Sequence, residues 1–169
     1  MPPCIDTYVL LNKRSAEQID HFINLFVKQD VVDIQRRNIS LFSLDEKGQF
    51  LPEDRVVNNS LYYGLNLTSK GYSLYLDSMR PDIYRVIISY TLDEKLLLGA
   101  SFDGELVNAV DLSKKWLIEI ENIFDFDYGV CMTELPPPIN FDEFLTCIHS
   151  KHALISYERR NGGIRVNSE

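Results

Sequence analysis

Cys147, His149 and His152 lie close together near the carboxyl end of the chain, and thiolate and imidazole are the side chains that hold zinc. Their spacing argues against a shared ion. Two residues apart on a helix, Cys147 and His149 point to different faces, and no fourth ligand is evident. Histidines at the end of a terminal helix are also explained by the helix dipole, which favours cations there. Carboxylate pairs at Glu119/Glu121 and Asp125/Asp127 have the groups needed for acid–base work. Only on a strand does an i, i+2 pair share a face, so Glu119 and Glu121 diverge on a helix, and neither pair has a distinctive neighbour. G-x-S-x-G, H-E-x-x-H, G-x-x-x-x-G-K-[ST] and G-x-G-x-x-G are all missing, and Cys131 lacks the surroundings of a known nucleophile. Gly162-Gly163 between Arg160 and Arg165 has amides and guanidinium groups that suit an anion, although a polar tail accounts for the same residues. No catalytic residue, metal ligand or cofactor is therefore assigned.

The charge is more informative. The 169 residues carry 17 Lys+Arg and 25 Asp+Glu, a net charge of −8. Residues 101–145 hold ten of the acids and only Lys114 and Lys115 as bases, so this stretch alone sums to −8 and the rest of the chain is neutral. An acidic chain is a poor match for duplex DNA or an anionic membrane, both of which draw on Lys and Arg. Acids on a solvated helix face serve solubility; the functional alternative is a surface complementary to a basic protein, where opposite potentials speed encounter and select the partner. The residues expected to form it are Glu119, Glu121, Asp125, Asp127, Asp142 and Glu143, with Tyr128 as an aromatic anchor.

The elements that position these groups follow from periodicity. Ile5 to Leu11 reads as a first strand. Ser15 with Gln18 forms a capping-box start for a helix whose stripe is Ile19, Phe22, Ile23 and Phe26. Gln29 to Asn59 reads as an edge hairpin or a long functional loop, turning at Asp45-Glu46-Lys47-Gly48. Leu61 to Leu67 alternates as a strand. Tyr72, Tyr75, Leu76 and Met79 favour a short second helix ended by Pro81, with a strand through Tyr72, Leu74 and Leu76 as the alternative. Tyr84 to Tyr90 and Leu96 to Phe102 alternate around a short polar connection, an antiparallel hairpin expected at the centre of the sheet. Trp116, Leu117, Ile120, Ile123 and Phe124 give a helix beginning near Asp111 or Ser113, and Tyr128 to Met132 a strand stopped by Pro136-Pro137-Pro138. Asn140 with Glu143 caps a last helix before a strand at Ala153 to Tyr157. The composition, 45% hydrophobic and 25% charged, supports a full core. The expected fold is one α+β domain over residues 1–158, a mainly antiparallel sheet with three to four helices packed on it, followed by a polar tail at 159–169.

Asp6-Thr7-Tyr8 opening a strand before a capped helix, Leu96-Leu97-Leu98-Gly99 in a hairpin strand, and Tyr128-Gly129 leading to Glu134-Leu135-Pro136-Pro137-Pro138 resemble small uncharacterised bacterial proteins, some of which look like immunity partners of polymorphic toxins. That resemblance implies a non-enzymatic protein that neutralises a basic toxin. Three cysteines, Cys4, Cys131 and Cys147, do not suggest a disulfide framework, and with neither signal peptide nor spanning segment in view the expected location is the cytoplasm. The expected function is thus a protein-binding module for a basic partner. The alternative is a small enzyme or ligand-binding domain with a pocket between sheet and helices, using Asp125, Asp127, His149 or His152.

Overall fold

A computed structural model describes residues 3–12, 15–28, 39–45, 47, 49–53, 71–78 and 81–167. Its strands are β1 (Cys4–Leu11), β2 (Ile39–Leu44), β3 (Phe50–Glu53), β4 (Tyr72–Asp77), β5 (Ile83–Tyr90), β6 (Leu96–Asp103), β7 (Tyr128–Thr133), β8 (Ile155–Glu158) and β9 (Gly163–Val166). They form one antiparallel sheet in the order β3-β2-β4-β5-β6-β1-β7-β8-β9. Three α-helices accompany it among the described residues: α1 (Ala16–Lys28), α2 (Ala109–Glu121) and α3 (Phe141–Ile148). The chain is an α+β domain in which the sheet dominates.

Alternation within each strand divides the sheet into two faces. Ile5, Val9 and Leu11 of β1 turn to one side with Val86, Ile88, Leu98 and Ala100, where α1 supplies Ile19 and Phe22 and α2 supplies Trp116, Leu117 and Ile120. Phe22 packs edge-on against Trp116 and Phe124, with ring centroids 6.4 and 6.1 Å apart. Tyr8 and Leu10 turn to the other side with Ile87, Leu97 and Val130, and there α3 contributes Phe144 and Ile148. Among the described residues, two thirteen-residue helices pack on one face and one helix of eight on the other.

Local chemistry fixes the helix starts. Ser15 Oγ accepts the Gln18 N–H at 3.1 Å, and Asn140 Oδ1 accepts the Glu143 N–H at 2.8 Å. Glu143 in turn accepts from the Ile139 N–H at 2.8 Å, one residue before the usual capping-box position.

Two sequence expectations change. Residues 72–77 form β4 rather than a helix: pairing with β2 and β5 satisfies the backbone on both edges, and Leu74 and Leu76 bury on one face, as period two requires. Helical and strand stripes overlap in this segment, and the neighbouring strands decide between them. Residues 159–167, expected within a tail, contain a 3-10 turn at Arg159–Asn161 and strand β9, which pairs along β8 from Gly163 to Val166. Gly162 and Gly163, with φ of 90° and 87°, occupy the left-handed region that makes this reversal possible. The edge hairpin is present as β2-β3, turned by Asp45, whose Oδ1 accepts from the Lys47 and Gln49 N–H groups. The expected strand at 61–67 lies outside the described residues.

Candidate functional site: a polar row on the face beneath α3

Register across the central strands places Asp77 beside Arg85, Arg85 beside Ser101, and Ser101 beside Asp6, so four polar side chains form a row over β4, β5, β6 and β1. The next row inward runs Tyr75, Ile87, Gly99, Tyr8. Gly99 is required there. A Cβ at that position would stand 2.5 Å from Tyr8 Cδ1, because the buried Tyr8 ring lies over the glycine. The polar row, with Tyr75 and Tyr8 from the row inward, lines a cavity of about 720 Å3.

Two backbone irregularities shape its walls. Between Ile83 and Arg85 the β5–β6 register slips, so Tyr84 is an extra residue and both Tyr84 and Arg85 line the cavity. After β7, Glu134 takes a left-handed φ of 51° while its N–H donates to the Cys4 carbonyl at 2.9 Å. That turn folds Leu135 and Pro136 back over the face as the opposite wall. Tyr8 Oη donates to the Leu135 carbonyl at 3.0 Å and pins the wall to the floor.

The electrostatics centre on Asp6. Its side chain is buried, its carboxylate accepts hydrogen bonds from Ser101 Oγ and from the Leu135 backbone, and it has no ion pair among the described residues. Burial, the dominant cause, pushes its pKa up to about 6; Ser101 and the Leu135 N–H oppose that rise. Arg85, the cavity's only basic group among the described lining residues, is held by Asp77, with Nε 3.1 Å from Oδ1, and its guanidinium lies 5.7 Å from the Tyr75 ring centroid. Burial raises the Tyr75 hydroxyl to about 12. The Cys4 thiol is likewise raised by burial and by Asp6, away from the nucleophilic thiolate.

The residues expected to bind a partner lie elsewhere and do not form one surface. Glu119 and Glu121 are exposed on α2, which packs on the two-helix face, while Asp142 and Glu143 are exposed on α3, which packs on the opposite face. The sheet separates them. Asp125 and Asp127 follow α2, and Arg159 binds both, Nη1 standing 2.5 Å from Asp125 Oδ1 and 3.8 Å from Asp127 Oδ1. Glu121 accepts the Tyr157 hydroxyl at 2.5 Å, and Tyr128 is half-buried against Phe141 at 5.4 Å between centroids. His149 Nε2 lies 3.5 Å from Glu158, whereas His152 lines a separate groove with Met132 and Asn167. Among the described residues no group of three or more His, Cys, Asp or Glu is placed to hold a metal ion. Sequence reading missed the site residues Asp6, Arg85 and Ser101; Asp6 and Arg85 carried one signal, a charged residue at an inward position of an otherwise apolar central strand, and Ser101 carried none. No helix among the described residues is long and apolar enough to cross a membrane. No protein-family model matches the chain, and neither a curated protein nor a solved structure does.

Proposed function

We propose that the chain is a non-enzymatic binding protein whose recognition site is the Asp6 cavity. The observation that carries this reading is a buried carboxylate with no ion pair among the described residues, at the floor of a cavity of small-molecule size. A buried, unneutralised charge opposes folding, and such charges concentrate where function needs them. Binding rather than turnover is favoured because the described lining residues include no histidine, and the one thiol among them is held protonated. The test is a fragment screen on the full chain followed by backbone amide NMR. Fragments that bind should shift the Asp6, Ser101 and Arg85 amides and be recovered unchanged; a diverse set that leaves those amides unmoved refutes the proposal.

A second reading rests on a different corner. Ile118 and Ile123 are exposed, at 43% and 38%, beside Glu119, Glu121 and Asp125, which gives apolar anchors an acidic rim. This corner suits a basic protein partner, in line with the resemblance to toxin-immunity proteins. Capture of the product of the adjacent gene at low salt, lost at high salt and in the Glu119→Lys, Glu121→Lys double variant, is the expected result. Capture that ignores both salt and the variant would remove this reading.

A further inference from the structure

We infer that the ligand of the Asp6 cavity is an organic cation, an ammonium or guanidinium group, that takes Asp6 as its counter-ion and rests against the cavity's tyrosines. The inference depends on the cavity being the binding site and adds the chemical class.

Three observations converge on that class. First, the described lining carries three carboxylates, Asp6, Asp77 and Glu134, against the single guanidinium of Arg85. Arg85 is already bonded to Asp77 and is the smallest of the influences on Asp6, so it offsets that charge only in part. An anionic ligand would meet net repulsion. Second, among the described residues the donors to Asp6 are Ser101 Oγ and the Leu135 N–H, both neutral, whereas a carboxylate offers about four acceptor sites. A neutral apolar ligand would strip the remaining water from this group and return nothing; a cation supplies charged donors. Third, Tyr8, Tyr75 and Tyr84 all line the cavity, and the Tyr75 face already hosts the Arg85 guanidinium, the geometry that attracts a cation to an aromatic ring.

The groups facing Asp6 are Cys4 and Tyr8 on its own strand, Tyr75 and Asp77 on β4, Tyr84 and Arg85 on β5, Ser101 on β6 and Glu134 beyond β7. Among them Asp6 has its ionisation moved into the mild-acid range, with a pKa of about 6. Cation affinity should therefore be high above that pH and fall as Asp6 takes up a proton below it.

The experiment is an amide NMR titration of the full chain with butylammonium, butylguanidinium and Nα-acetyl-arginine-N-methylamide, against 1-pentanol and pentanoate as neutral and anionic counterparts. The expected result is movement of the Asp6, Ser101 and Arg85 amides with the cations, at least tenfold tighter than with the alcohol, and a tenfold or greater loss in Asp6→Asn. The pH series on the unmodified chain repeats the test without a variant. Preference for the free cations assigns the source to a small amine, preference for the capped arginine to a partner's side chain; either supports the class. If alcohol or pentanoate binds there as tightly as the cations, the cation class falls and the cavity stands. If no probe moves those amides, both fall.

Discussion

The two faces of the sheet carry the same alternation and end in different interiors. On the face beneath α1 and α2, Val9, Ile88, Leu98 and Phe22 are buried among apolar neighbours. On the other face the apolar cluster under α3 takes in Tyr8, Ile87 and Leu97, and the next register row turns polar: Asp77, Arg85, Ser101, Asp6. The contrast separates the residues that hold the fold from those that the fold holds in place. A buried apolar row stabilises the chain whatever its function, whereas a buried carboxylate costs stability and needs another reason to be there.

The contrast can be broken from either side. The largest effect is expected on the covered face: Phe22→Ala removes a fully buried ring from between Trp116 and Phe124 and should cost about 3–5 kcal/mol by denaturant unfolding. Cation binding at neutral pH should persist wherever that variant stays folded.

Asp6→Asn should act in the opposite direction. The folded-state pKa of about 6 lies above the ordinary 3.8, so protonation favours the native state, fully below pH 3.8 and no longer above about 6. At pH 7 the charge opposes folding, and the variant should be more stable by up to about 3 kcal/mol, the free-energy equivalent of that pKa difference. The gain should shrink between pH 6 and 4, as unfolding curves across that range will show. A destabilised variant at pH 7 would mean that the carboxylate is structural.

Gly99→Ala tests the join between the rows. Its Cβ would crowd the Tyr8 ring at 2.5 and 2.7 Å, and displacement of that ring should cost about 1–3 kcal/mol and loosen the Leu135 wall. Amide exchange at Leu135, compared with amides on the covered face, will show whether the damage stays local. The smallest effect belongs to Arg159→Gln at the acidic corner, where exposed Asp125 and half-buried Asp127 lose their partner. An exposed pair contributes little, so the unfolding midpoint should barely move while any capture of a basic protein at low salt strengthens.

Much of the architecture was legible in the sequence. The first strand, the helix capped by Ser15, the central hairpin of β5 and β6, and the helix capped by Asn140 all follow from local periodicity and capping, which act over a few residues. At residues 72–77 the same reasoning chose the wrong period, since Tyr72, Tyr75, Leu76 and Met79 fit a helical stripe about as well as Leu74 and Leu76 fit a strand. The cavity was not legible. Asp6, Ser101 and Arg85 are separated by 95 and 16 positions, and only strand register sets them side by side.

The acidic stretch at 101–145 shows the same division. The sequence by itself determined how much charge the chain carries and that one continuous segment holds the whole excess. Only the tertiary structure decided that this segment crosses the sheet, with α2 on one face and α3 on the other, and that Arg159 comes back to meet Asp125. The physical reason is that composition and periodicity are local sums, whereas the field at a point depends on distances that pairing and packing alone create.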